Sequence, residues 1–305
     1  MVALIENLSV LLILAFAGWL LGRKHILSSE NLKLLSVLEI WIFLPCNCFR
    51  SFSKNFTVTY IQEKYPLILI SAGIVVVLTL ANALLVPRLV KGVYLQKIIR
   101  YTLTLPNYGY VGYPLIESVY GELMLLNAQL FAIPMSVYSG SEGYRLLTNA
   151  DSVSLKKVIS PSLVAMAIGA GVGLAGWQLP NVVSSVVTNG SNCMGPISMI
   201  LAGITISDYD IKDLLRNKTS YSVVLFRLIL IPLILCFGLK AFVSKEILMI
   251  VVLLYSMPCG LNTIVFPKMT GEDCRPGASM AMISTVACLL TVPLCIQILE
   301  WMCSI

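Results

Sequence analysis

From end to end the chain alternates long apolar runs with short polar or basic connections. A membrane-spanning helix needs about 20 mainly apolar residues, within a range of roughly 17–25. Segments meeting that need fall near residues 8–22, 34–53, 66–87, 98–119, 123–147, 158–178, 193–207, 221–243, 246–267 and 277–302. The connections between them leave no stretch for a soluble domain. The pattern predicts an all-α polytopic membrane protein of ten transmembrane helices.

Composition narrows the function classes. Of 305 residues, 58% are apolar and 12% charged, whereas a soluble domain carries about 25% charged residues. Half the usual charge does not coat a soluble protein, which excludes a soluble enzyme, a nucleic-acid binder and a disordered chain. The net charge of +6 is scattered in small groups, so it reads as topology information, with the lipid bilayer as partner and no nucleic acid. Fifteen Lys and Arg residues fall in one set of alternate loops, among them Arg23, Lys24, Arg88, Lys91, Lys156 and Lys212, against five in the other: Arg50, Lys54, Lys64, Lys240 and Lys245. The richer side is assigned to the cytoplasm. The expectation is a multi-pass cell-membrane protein with both termini extracytoplasmic.

Ten helices divide into five and five, and an odd number per half gives the halves opposite orientation. That is an inverted repeat, with residues 1–148 as the first unit and 149–305 as the second. The fourth segment of each half is interrupted. One carries Pro106, Asn107, Gly109, Gly112 and Pro114; the other carries Pro258, Gly260, Asn262 and Pro267. Proline removes a backbone donor and disfavours the helix around it. Unwound backbone at membrane depth is tolerated only where protein buries it or it lines a wet cavity. Matched interruptions in two halves therefore point to a transporter's binding site. Half-helix N-termini suit an anion such as a carboxylate, and the amides of Asn107 and Asn262 add donors without charge. The site residues expected are Asn107, Asn262, Gly109, Gly260, Tyr138 and Thr263. The hinge and crossover residues expected are Pro106, Gly112, Pro114, Pro258 and Pro267.

Charges inside a membrane are functional hypotheses by default. Glu39, Glu117, Glu142 and Arg227 fall in or near spans. Glu117 and Glu142 are candidates for ion coupling, and Arg227 for a structural or coupling charge. The sole histidine, His25, lies in a basic loop and lacks the companions a metal site needs; no metal and no cofactor is expected. A literal GxGxxG at Gly171, Gly173 and Gly176 sits in an apolar run with no strand before it, so Gly169 and Gly173 read instead as a GxxxG packing motif. The nine cysteines form no CxxC and read as buried thiols.

The runs NYGYVGYPL, MPCGLNTIVFPKMTGED and STVACLLTVPL, with LLGRKHILSSENLKLLSVLEIWIFLPCNCFRSF near the start and VLFRLILIPLIL later, resemble the auxin efflux carrier family in order and spacing. That family includes the plant PIN carriers and malate/malonate-type permeases. This chain lacks the long central loop of many plant members and is similar to compact microbial ones. The resemblance implies broken helices that cross at mid-membrane, with the Asn of each break holding a substrate carboxylate. It implies a scaffold of helices 1, 2, 6 and 7, which also forms a homodimer interface. Helices 3–5 and 8–10 would then move as an elevator, and the break in helix two would fall at Pro45, just before Asn47 and Cys48, which adds Pro45 to the crossover residues and Asn47 to the substrate-binding ones. The expected function is secondary transport of a small organic anion, not enzymatic catalysis. The alternatives are a sodium-coupled bile-acid-type symporter and a non-transporting receptor on the same fold.

Overall fold

The computed structural model describes residues 2–27, 29–152 and 158–304. Helices joined by short turns make up the described chain, as the apolar runs require, because a backbone in hydrocarbon must satisfy its own N–H and C=O groups. Six helices are long and apolar enough to cross a membrane: α1 (Val2–Arg23), α2 (Leu32–Asn55), α3 (Val58–Leu89), α6 (Glu122–Thr148), α9 (Lys218–Leu239) and α12 (Arg275–Cys303). Among them lie α4 (Val93–Thr104), α5 (Tyr113–Tyr120), α7 (Pro161–Leu174), α8 (Asn181–Ser207), α10 (Lys245–Tyr255) and α11 (Asn262–Met269). The fourth and ninth expected segments are thus each divided, into α4 and α5 and into α10 and α11. The seventh begins earlier than its hydropathy suggests, at Asn181 rather than near residue 193. Ser184, Ser185, Thr188 and Asn189 make that stretch look like a connection, yet nothing in it breaks the helical ladder.

Packing follows the small residues. α1 lies along α8, while α2 lies against α7 and α8. A side chain at Gly203 would run into the Ala15 carbonyl, and one at Gly18 into the backbone of Ile200. On α7, a Cβ at Gly169 would stand 2.9 Å from the Phe49 oxygen, and one at Gly173 would stand 2.6 Å from the Phe56 oxygen. The GxxxG pair therefore brings two backbones together, as small residues do between membrane helices. Elsewhere α3 packs on α4 and α6, α9 packs on α10 and α12, and α10 meets α6.

Four helices contain a single wide π-turn: Glu39–Phe43 in α2, Tyr108–Gly112 leading into α5, Ser139–Gly143 in α6 and Phe226–Leu230 in α9. In three of them a proline stands two residues beyond the turn, at Pro45, Pro114 and Pro232. A proline ring clashes with the carbonyl four residues back and offers it no donor. Widening the turn to an i→i+5 pattern relieves both problems without ending the helix. Pro45 and Pro114 therefore sit in continuous helix. Pro267 also lies within a helix, α11, where its carbonyl accepts from the Thr270 and Glu272 amides. Of the expected hinge prolines, only Pro106 and Pro258 occupy non-helical backbone.

Candidate functional site

Between α4 and the π-turn at Tyr108, residues Leu105–Asn107 leave the helix; between α10 and α11, residues 256–261 do the same. The two breaks meet. Pro106 and Cys259 form an isolated antiparallel bridge, and the Asn107 amide donates to the Pro258 carbonyl at 2.8 Å. The Cys259 amide donates to Ser284 Oγ on α12 at 2.9 Å. Each proline frees a carbonyl from its own helix, and the opposite break or α12 supplies bonds in place of the lost ladder.

Beside this bridge is a cavity of about 120 Å³. Pro106, Asn107, Tyr108, Gly109 and Tyr110 line it from the first break; Gly260, Leu261 and Asn262 line it from the second; Tyr101 and Leu44 close it. Asn107 Oδ1 accepts from the Tyr110 amide at 3.3 Å, capping the π-turn, while its Nδ2 makes no other bond among the described residues. Asn262 is engaged differently: its Nδ2 donates to Tyr101 Oη at 2.8 Å and to Ser139 Oγ at 3.1 Å. Tyr101 and Ser139 are themselves hydrogen-bonded at 3.0 Å. Gly143 makes room for this, since a Cβ there would stand 2.7 Å from the Tyr101 ring. The arrangement offers amide and phenol donors and no carboxylate, which is the chemistry of an anion or neutral-acceptor site.

Four of the expected site residues, Asn107, Asn262, Gly109 and Gly260, line the cavity. Thr263 is fully buried and donates to the Gly260 carbonyl at 2.8 Å, supporting the second break from behind. Tyr138 is buried in α6 and is not among the lining residues. Gly112 packs between Leu254 and Met257.

Asn47 lies in a different place. Its Nδ2 donates to Glu117 Oε2 and to Ser191 Oγ, each at 3.0 Å, and its Oδ1 accepts from Gln129 at 2.7 Å. Glu117 also forms an ion pair with Arg50. Asn47, Glu117 and Ser191, with Pro114 and Gly195, border a separate cavity of about 310 Å³. Glu142 pairs with its neighbour Arg145 at 2.8 Å. Glu39 is buried in α2, where its Oε1 accepts from Ser198 at 2.6 Å. Arg227 is buried in α9 with its guanidinium over the Tyr255 ring, 5.3 Å from the centroid. A larger groove of about 600 Å³ between α1, α8 and α12 has almost wholly apolar walls and nothing to orient a polar ligand.

Sequence reasoning missed Tyr101, Ser139, Tyr108, Tyr110, Leu44 and Ser284. The run of tyrosines at 108, 110 and 113 was the available signal. A family model described as a membrane transport protein matches residues 3–144 and 141–296, nearly the whole chain, in agreement with the resemblance read from the motifs. No curated protein matches it.

Proposed function

The chain belongs to the membrane transport protein family, and on that footing we propose that it is a secondary carrier of a small organic anion, a carboxylate, held where the two helix breaks cross. The observation that carries this reading is the pairing itself: two Pro-Asn breaks bonded through Pro106 and Cys259, with Asn107 and Asn262 on one small cavity. The helical turns that begin at Tyr108 and at Asn262 start at this cavity. Their positive dipole ends favour a negative charge there. Asn107 Nδ2 and the Tyr101 hydroxyl supply directed donors. Asn262 acts on the anion by orienting Tyr101 and Ser139.

In this reading the chain is two inverted five-helix repeats, 1–148 and 149–305. α1, α2, α7 and α8 form a fixed scaffold and the face of a homodimer, and the remaining helices form a body that moves by an elevator-type alternating-access cycle. The packing of α1 on α8 and of α2 on α7 and α8, which is more extensive than the contacts these helices make with α5, α6 and α12, supports the division. The 15-to-5 division of basic residues supports extracytoplasmic termini.

The test is uptake of labelled acetate, malonate, malate and indole-3-acetate into proteoliposomes, with and without a proton or sodium gradient. Asn107→Ala should weaken binding of the transported acid by about ten- to a hundredfold, the cost of about 1.5–3 kcal/mol for a lost hydrogen bond to a charged ligand, and Asn262→Ala, which releases Tyr101 and Ser139 without losing a contact of its own to the acid, by about three- to tenfold. Asn107→Asp should be worse than Asn107→Ala, because an ionised aspartate repels the anion. Wild-type affinity in all three variants would remove the crossover as the binding site.

A further inference from the structure

Arg227 is fully buried, and none of its three guanidinium nitrogens has a hydrogen-bond partner among the described residues. Among the described residues no carboxylate pairs with it. The guanidinium lies over the face of Tyr255, whose own hydroxyl is buried and has no hydrogen-bond partner among the described residues. An arginine stays charged in proteins, and an uncompensated buried charge is a heavy cost that a cation–π contact offsets only in part.

Its position gives that cost a use. The π-turn holding Arg227 packs against α4 and α12, the helices that lead into and brace the first and second breaks. Tyr255, the ring under the guanidinium, is the last residue of α10, directly before the second break. A positive charge therefore stands against the residue from which that break starts, on a different side chain set from the donors that line the cavity. Arg227 is fully buried, and a buried charge is poorly screened and acts over several ångströms.

We infer that Arg227 is the resident counter-charge of the crossover cavity, a positioning residue that makes the site prefer an anion over a neutral molecule of the same shape. The inference rests on the anion-carrier reading of the crossover. It assigns the charge preference to Arg227 and the directional contacts to Asn107 and Tyr101. Because it acts through its field, its sign matters and its hydrogen bonds do not.

The experiment compares reconstituted wild type with Arg227→Lys, Arg227→Gln and Arg227→Met. The probes are the tightest-binding acid of the acetate, malonate, malate and indole-3-acetate panel and its primary amide. Arg227→Gln and Arg227→Met should each lose about tenfold in affinity for the acid, with the amide changed by less than about twofold. Arg227→Lys, whose buried amine sheds its proton more readily than a guanidinium, should fall between wild type and the neutral variants for the acid, with the amide changed by less than about twofold. Removing an unpaired buried charge should leave the melting temperature unchanged or raise it. A structural role would instead lower the melting temperature of the neutral variants and leave the acid-over-amide preference intact. That preference surviving in either neutral variant, or neither variant folding, overturns the inference. If Asn107→Ala weakens acid binding while Arg227→Met does not, the crossover site stands and only the role of Arg227 falls. If no acid of the panel binds wild type, both fall.

Discussion

The crossover and the cluster around Asn47 are both places where polar groups are buried, and they use polarity in opposite ways. At the crossover the backbone groups are spent on one another, through Asn107 to Pro258 and the Pro106–Cys259 bridge, and side chains are left to face a cavity. Around Asn47 the side chains are spent on one another: Asn47 with Glu117, Ser191 and Gln129, and Glu117 with Arg50. In the first region Asn107 Nδ2 is left to donate while Asn262 spends its amide on Tyr101 and Ser139; in the second, Asn47 spends its amide too. That cluster joins α2 and α8 to α5 and α6, so it ties together helices assigned above to different bodies. The comparison teaches that a buried asparagine contacts a ligand directly only when its neighbours leave it something to donate, and otherwise serves a site by orienting the groups it holds.

Four substitutions would break or sharpen this contrast. The largest effect is expected from Gly277→Ala on α12. Its Cβ would run into the Thr263 carbonyl, just behind the second break. Overpacking against backbone has no cheap relief, so about 3 kcal/mol or more of stability should go, read as loss of folded yield in detergent. A wild-type melting temperature would show that the crossover is not held from behind by α12.

Arg50→Met comes next. It leaves Glu117 with the Asn47 amide alone, at a cost of about 1–2 kcal/mol, less than for a fully buried pair because both side chains retain some exposure. The melting temperature should fall while acid affinity stays within about twofold, as expected of a cluster that holds rather than binds. A selective loss of affinity would merge the two regions into one site.

Ser284→Ala removes the partner of the Cys259 amide. About 1 kcal/mol of stability should be lost, with an affinity loss alongside it, because the bridge that shapes the cavity loosens. Stability lost without affinity would separate the bridge from the site.

Tyr101→Phe is the mildest. Asn262 keeps Ser139 as a partner, so affinity should drop about three- to fivefold. No change at all would mean that the anion takes its donors from the first break only.

The parts of this molecule that announced themselves in sequence are those where local chemistry decides the outcome. Pro106 and Pro258 both stand in helix breaks among clustered Gly and Pro, and their matched Asn neighbours could be read without a fold. The GxxxG on α7 works the same way, because only glycine leaves room for a backbone oxygen 2.6 Å from where a Cβ would stand. Asn47 was misplaced for a reason of another kind. The motif around Pro45 places it near a break, but the π-turn at Glu39–Phe43 absorbs the proline and the helix continues, carrying Asn47 to Glu117 and Ser191. Tyr101 and Ser139 were out of reach because nothing in their own segments distinguishes them. What makes them part of the site is Asn262, 161 and 123 residues away in sequence. The start of α8 was lost to composition, since a polar stretch of helix and a polar loop have the same hydropathy.

The wide turns beside Pro45, Pro114 and Pro232 have a consequence for engineering. Each behaves as a one-residue insertion in the surface frame of its helix, rotating everything beyond it by about 100° relative to an uninterrupted helix. Deleting one residue from Phe226–Leu230 while replacing Pro232 with alanine would restore the ordinary frame. The apolar content of the segment would be nearly unchanged, so it would still partition into a bilayer. Its two ends, however, would present the wrong faces to each other, and the guanidinium of Arg227 would swing away from Tyr255. Alignments that score this stretch by hydrophobicity would rate such a variant as conservative; in the folded chain it is a frameshift in three dimensions.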